Sequence, residues 1–306
     1  MLRYLLIRVL VSLLTFWVIV SVVFFLIRAA PGGPFDGERR LPPEVEANLL
    51  AAYHLDQPLS AQYLDYLAML VRGDLGPSFK QKDFSVNELI ATGLPVSLGV
   101  GMSALALSIV LGVTLGTRAG LRPGSGTDVV VMGIANLGIA LPTIVLAPLA
   151  VLCFAVWLGW LPAGGPGGLD HYLLPPLALA MPFVAAIARL TRGSVAEVML
   201  EPHVVTARSK GLPQSRILRR HVLPTALLPV LSFLGPAAAA LLTGSVVIEQ
   251  VFELPGIGRY FVQAALNRDY TLVMGVVVVY AAFVLVFNLL VDLCYARLDP
   301  RIRLAR

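Results

Sequence analysis

Metal and nucleophile chemistry need particular residue types at particular spacings, and this sequence offers few of them. Its four histidines, His54, His171, His203 and His221, are scattered along the chain and none belongs to an HExxH pair. The two cysteines, Cys153 and Cys294, lie in separate apolar runs, where a thiol behaves as a small hydrophobe. No metal site or disulfide framework is expected from them. No GxxxxGK[ST] occurs, so the chain has no loop of that kind to cradle a nucleotide phosphate. Gly124-Ser125-Gly126 sits in a loop with no preceding strand, which argues against a nucleophile elbow. A membrane enzyme would need a clustered acid, base or metal site, and the histidine scatter speaks against one.

The residues that do form a pattern are EPHVVTARSKGLPQSRILRRHVLP, Glu201 to Pro224. This is the longest charged run lying between apolar segments long enough to span a bilayer. Pro202 suits the first turn of a helix, where its missing N–H is not needed, and Glu201 favours the positive helix start. His203 to Lys210 then makes two turns, with Arg208 and Lys210 near the negative end. Gly211 supplies a left-handed residue that stops the helix. Pro213 opens a second short helix, Gln214 to Val222, and Pro224 begins the next apolar run. Any cytoplasmic loop collects Lys and Arg. The order of the residues is more informative, and it predicts a docking element of two short helices joined at a corner.

The rest of the chain reads as the membrane structure that such an element would move. Mean hydropathy is +0.83. Only 13% of the 306 residues are charged, which is not the composition of an ordinary soluble domain. Charge-free intervals predict six spans, since about 20 apolar residues cross the hydrocarbon. They run over 9–27, 89–117, one within 129–169 that ends in the Gly/Pro turn 161–168, 171–188, 224–248 and 270–291. Arg3, Arg8, Arg118, Arg122, the basic residues from Arg189 to Arg220 and those from Arg297 to Arg306 then fall on one side. The short loops opposite keep only Arg259 and Arg268. The positive-inside rule makes the first side cytoplasmic, with both termini on it. The first apolar stretch is too long for a typical signal peptide core and reads as a retained anchor.

Between the first two spans, residues 31–94 are polar and form an outer segment. PGGP (31–34) and GDLGPSF (73–79) are turns, 42–55 is a short helix, and 60–71 is an amphipathic one. Its apolar face is read as Tyr63, Leu64, Leu67, Leu70 and Val71. Pro142, Pro148, Pro175, Pro176, Pro182, Pro229 and Pro236 fall inside spans and are candidate kinks. No ionisable residue falls mid-span; Glu249, Asp292 and His171 sit at span ends. This argues against a proton-driven secondary transporter, since such proteins place charges within the membrane. After the fifth span, LPGIG turns into a short helix, Arg259 to Leu266, with Phe261, Ala264 and Ala265 inward. Glu249, Pro255, Gly256 and Gly258 are the candidate outer gate there.

Two sets of residues carry a resemblance. Ala207, Gly211 four residues later and Leu223-Pro224 beyond it are similar to the EAA loop of bacterial ABC importer permeases, in which EAA, three residues, Gly, nine residues and Ile-x-Leu-Pro follow in order. Val205 and Thr206 stand at the first two letters and His221 at the Ile position. The acidic first residue of Glu-Ala-Ala is therefore missing here, where the run around the small residue reads Thr206-Ala207-Arg208. PGGPFDGERRLPPEV, RGDLGPSFKQKDFSVNELI, ARSKGLPQSRILRRH, TGSVVIE, LPGIGRYFVQAALNRDYTLV and FNLLVDLCYARLDPRIR extend the likeness along nearly the whole chain. Together they resemble the B-subunit permeases of bacterial oligopeptide and dipeptide ABC importers.

That resemblance implies an all-α polytopic membrane protein of the bacterial inner membrane with the type I ABC importer permease fold. Its parts would be the first helix (1–30), an extracytoplasmic insertion (31–93), a five-helix core (94–295) containing the coupling loop 200–224, and a cytoplasmic tail (296–306). It implies a transport subunit without enzymatic activity of its own, paired with a second homologous permease. Two ABC ATPase subunits would carry ATP and Mg²⁺, and an extracytoplasmic binding protein would deliver peptide. The chain itself would bind no cofactor or metal, its surroundings would be lipid, and nucleic acid is not an implied partner. The ATPase-docking residues would be His203, Thr206, Ala207, Arg208, Lys210, Gly211, Leu212, Leu223 and Pro224. Oligopeptide is the implied cargo. Dipeptides, glutathione, nickel chelates and sugars are alternatives within the same class, and an ion-coupled carrier is the alternative outside it.

Overall fold

A computed structural model describes residues 2–30, 33, 42–53, 55–81 and 83–298. His54, the PGGP turn apart from Gly33, and the tail 299–306 lie outside the described residues, as does the side chain of Cys294. Among the described residues the secondary structure is helical, with an isolated bridge between Pro77 and Ser85. The helices are α1 (Leu2–Ala29), α2 (Pro43–Ala52), α3 (Leu59–Val71), α4 (Val86–Gly120), α5 (Gly126–Ala140) and α6 (Thr143–Ala150). They continue with α7 (Leu174–Val198), α8 (Pro202–Ser209), α9 (Gln214–Ile217), α10 (Leu223–Ala226), α11 (Leu228–Val251), α12 (Ile257–Asn267) and α13 (Tyr270–Leu298).

Among the described residues, α1, α4, α7, α11 and α13 are each long and apolar enough to cross a membrane. The expected third span differs. It is broken into α5 and a second piece, Thr143–Trp157, bent by 109°, and the count reaches six if this pair is one span. The break has a local cause. Pro142 has no N–H to donate, and the residue before a proline is pushed out of the α region. Leu141 and Pro142 are both extended, with ψ of 119° and 144°.

The helices of two other spans have ends that differ from those of the charge-free intervals. α7 continues past Ala188 to Val198 and carries Arg189 and Arg192 as helical residues. A charge marks where a helix leaves hydrocarbon, not where its hydrogen bonding stops. At the fifth span, residues 223–226 form the separate α10, and α11 begins at Leu228. Pro175, Pro176 and Pro229 sit in first turns, where proline is tolerated, while Pro148, Pro182 and Pro236 lie inside helices.

The chain forms two compact units, one from Met1–Val96 with Pro255–Leu285 and one from Ser97–Leu254 with Val286–Arg306. In the first, Val20 and Phe24 of α1 pack with Tyr66 of α3, Val86, Leu89 and Ile90 of α4, Ala264 of α12 and Leu272 and Val276 of α13. The amphipathic helix α3 buries Tyr66, with Tyr63, Leu67, Met69 and Leu70 beside it. Leu64 and Val71, expected on that face, are 64% and 89% exposed. The helix is rotated so that its centre falls on the aromatic residue, whose ring meets Phe24 at 5.7 Å. Burial holds the Tyr66 phenol neutral and raises its pKa to about 12, with Arg28 opposing the rise. On α1, Leu6, Leu10, Leu13 and Trp17 are exposed and apolar, as a lipid-facing surface requires.

In the second unit, α4 and α7 lie backbone against backbone. A Cβ on Gly112 would meet Ile187 at 2.7 Å, one on Gly116 the Ala188 carbonyl oxygen at 2.4 Å, and one on Gly120 the Arg192 carbonyl oxygen at 2.7 Å. The three glycines recur every fourth residue, so they share one helix face. This is the small-residue spacing that lets membrane helices approach closely.

Candidate docking interface

α8 starts as its sequence dictates. Glu201 is extended (φ −67°, ψ 146°) and its carbonyl accepts from the Val204 and Val205 amides at 3.0 and 3.1 Å. Pro202, with no N–H to satisfy, takes the first helical position. The Thr206 hydroxyl donates to the Pro202 carbonyl at 2.8 Å. Val204 and Ala207, three residues apart, are buried together. They join Val195 and Val198 at the end of α7 and Ile217, Val222 and Ala226 beyond the corner. His203, Val205, Thr206 and Arg208 are exposed. One stripe therefore anchors the helix, and the opposite face, with His203, Thr206 and Arg208, is exposed.

The corner is a Schellman motif. The Gly211 amide donates to Arg208 O at 3.0 Å, and the Leu212 amide donates to Ala207 O at 3.3 Å. Gly211 has φ +74°, and its Cβ position faces open space. Only the backbone conformation demands glycine there. Leu212 packs on the cluster that holds Ala207, which is the apolar contact that accompanies this motif. Lys210 is the exposed C-cap residue. Of the remaining docking candidates, Leu223 packs against the same cluster and Pro224 is exposed in the first turn of α10.

After the corner, Pro213 is the N-cap of α9, which runs into a π-helical turn, Leu218–Val222, before α10. The expected single helix over 214–222 therefore changes its hydrogen bonding partway. The concave side of the corner holds a cavity of about 270 Å³ lined by Leu121, Met199, Arg208, Leu212, Gln214, Ile217 and Leu218. Two histidines that looked scattered meet at the open ends of the segment. His203 and His221 have rings 6.5 Å apart, and His203 Nε2 lies 3.1 Å from the His221 carbonyl. His203 Nδ1 is 3.1 Å from a Glu201 carboxylate oxygen. His171 is committed elsewhere, with Nδ1 3.0 and 3.1 Å from the carbonyls of Gly164 and Gly165.

The residues expected at an outer gate divide between the two units. Glu249 is fully buried on α11 in the second unit, while Pro255, Gly256 and Gly258 belong to the first. Gly256 precedes α12 as its N-cap. A Cβ on Gly93 of α4 would lie 2.9 Å from the Ile257 amide nitrogen and 3.0 Å from the Gly256 carbonyl carbon. Gly93 was not singled out from the sequence, where nothing marks a lone glycine as a close approach. Ala264 is buried and Phe261 packs on the core as expected, but Ala265 is exposed. A four-turn apolar pattern fixes which face is inward better than this three-turn helix can.

Residues 108–304 match the family described as binding-protein-dependent transport system inner membrane component, and residues 1–100 match its N-terminal component. The chain belongs to this family. The permease is 49% identical over 305 residues to the oligopeptide transport system permease protein OppB of Escherichia coli (strain K12), covering 99% of this chain and 100% of that one. It is 42% identical over 304 residues to the dipeptide transport system permease protein DppB of Bacillus subtilis (strain 168), covering 99% of each. Its fold is shared with an amino acid ABC transporter solved with histidines, at TM-score 0.55 and 20% identity, over 69% of this chain and 94% of that one. It is shared too with the MetNI methionine ABC transporter in an inward-facing form, at TM-score 0.56 and 19% identity, over 69% and 96%. The permease is thus a multi-pass inner-membrane protein with the type I ABC importer fold.

Proposed function

We propose that this permease carries oligopeptides through the inner membrane as one half of a paired channel, driven by ATP hydrolysis on separate subunits. The observation that carries the reading is the α8 corner. It is a basic knob whose buried stripe joins the end of α7, and it leaves His203, Thr206 and Arg208 exposed. In this reading the knob seats in a groove on an ABC ATPase. Two such ATPases, holding ATP and Mg²⁺, close on each other and swing the permease and its homologous partner from inward-open to outward-open. A binding protein on the far side then delivers peptide, and hydrolysis resets the pair. The Pro255–Gly258 turn serves as the outer gate. The likeness to OppB favours oligopeptide cargo, and the lower but full-length likeness to DppB makes dipeptide the second reading.

The test is reconstitution of the permease with its partner permease, both ATPases and the binding protein in liposomes. ATP-dependent uptake of a labelled pentapeptide over a labelled dipeptide is the expected result. Preference for the dipeptide would favour the second reading, and uptake by the permease alone on an ion gradient would overturn both.

A further inference from the structure

The docking segment touches the membrane helices at more than its own two ends. Leu121, in the turn that links α4 to α5, packs against the cluster holding Val204 and Ala207. That turn is fastened in its own right. Gly124 is left-handed (φ +79°), and its amide donates to Asp128 Oδ2 at 2.8 Å. Ser125 caps α5, its hydroxyl accepting from the Asp128 amide. The same Asp128 carboxylate accepts from both sides of the Arg192 guanidinium, Nε to Oδ1 at 3.0 Å and Nη2 to Oδ2 at 2.7 Å. The Asp128 side chain is 5% exposed and that of Arg192 34%. A fork of this kind fixes orientation as well as distance, which a single hydrogen bond does not.

Arg192 sits one helical turn before Val195, which lies in the docking cluster. Its carbonyl oxygen is the atom that faces Gly120 of α4. The side chain thus grips α5 while the backbone lies against α4. We propose that the Asp128–Arg192 ion pair is a positioning contact for transport, making α7, the Leu121–Ser125 turn and the first turn of α5 move with α8 as one body. Displacement of the docking helix then reaches the broken span, whose bend at Leu141-Pro142 lies at the far end of α5. Without the pair, α8 still folds on its cluster and α5 still packs on α7, as Gly138 does against Ala185, but the first turn of α5 follows the stroke less closely. This inference rests on the docking reading of α8, and it assigns Asp128 and Arg192 no contact with ATP or peptide.

The experiment uses the assembled importer in liposomes and reads two quantities together, ATP hydrolysed and peptide taken up. Asp128→Asn keeps the shape and loses the charge, Arg192→Lys keeps the charge and loses the fork, and a double exchange, Asp128→Arg with Arg192→Asp, restores opposite charges. The expected result is that both ATPases still co-purify, while peptide taken up per ATP falls about fivefold in each single variant. The exchange should recover part of it. Unchanged uptake per ATP in Asp128→Asn and Arg192→Lys would overturn the proposal. So would parallel loss of ATPase co-purification in all three variants, because that is a folding role. A separate arm tests the docking reading itself. Arg208→Cys, with Cys153 and Cys294 replaced by Ser, should cross-link to an ATPase lysine through a bifunctional reagent that joins a thiol to an amine. If it does not, the docking reading fails whatever the ion pair does.

Discussion

A Cβ on Gly116 would lie 2.4 Å from the carbonyl oxygen of Ala188, so α4 and α7 meet with no side chain between their backbones. Neither backbone can yield locally without breaking helical hydrogen bonds. Gly116→Val is expected to push the helices apart and destabilise the permease by about 1–3 kcal/mol or more. Thermal unfolding of the detergent-purified protein checks this. Gly133→Ala is the control, since nothing lies within 4 Å of its Cβ position. Its midpoint should be unchanged or higher. Equal midpoints for the two variants would contradict the close approach.

Gly211 tests the corner without touching any neighbour. With φ at +74°, a β-branched residue there is strained by about 1–2 kcal/mol, and Asn by less. Gly211→Val should leave the permease inserted and assembled but lower peptide-stimulated ATP hydrolysis and uptake, and Gly211→Asn should retain most of both. Full uptake by an assembled Gly211→Val importer would count against the corner's role.

Asp269 is buried, and its carboxylate gathers donors from two places in the first unit. It accepts from the Ser78 hydroxyl, the Phe79 amide at 3.1 Å, the Thr271 hydroxyl at 3.0 Å and the Leu272 amide at 3.2 Å. It thereby caps α13 and holds the loop before α4. Asp269→Ala takes this acceptor from the Ser78 hydroxyl and the Leu272 amide and should destabilise by about 1–3 kcal/mol for each buried group left unpaired, while the Thr271 hydroxyl keeps the Pro77 carbonyl at 2.7 Å. The readout is the thermal midpoint. Asp269→Asn, which keeps an acceptor, should fall between Ala and the parent, and a midpoint of the Ala variant equal to the parent's would refute the assignment.

Tyr66 has a buried hydroxyl with no hydrogen-bond partner among the described residues. Tyr66→Phe should therefore be neutral or slightly stabilising, since it removes an unsatisfied polar atom. The phenol pKa, ordinarily 10.0, is raised to about 12 in the fold. Its share of stability is complete below pH 10 and is lost as pH climbs toward about 12. Alkaline unfolding should be shallower in Tyr66→Phe over that window. Identical profiles would mean that the ring is solvated.

Much of this was legible in the sequence because it is set by neighbours along the chain. The apolar runs, the start of α8 at Pro202, the left-handed stop at Gly211 and the kink at Pro142 each follow from residues within one or two turns. Bilayer crossing needs only length and hydropathy, and a helix stop needs only a residue that tolerates positive φ. The tertiary structure decided which side of each helix is used. It turned α3 so that Tyr66 faces inward in place of Leu64 and Val71, exposed Ala265 and buried Glu249. It carried α7 past the charge-free interval to include Arg192, and set that residue against Asp128, 64 positions earlier in the chain. Gly112, Gly116 and Gly120 were visible as residues but not as a contact. A helix in lipid is apolar on every side, so periodicity does not say which side meets another helix. Only the arriving partner, packed to within van der Waals distance, makes that choice.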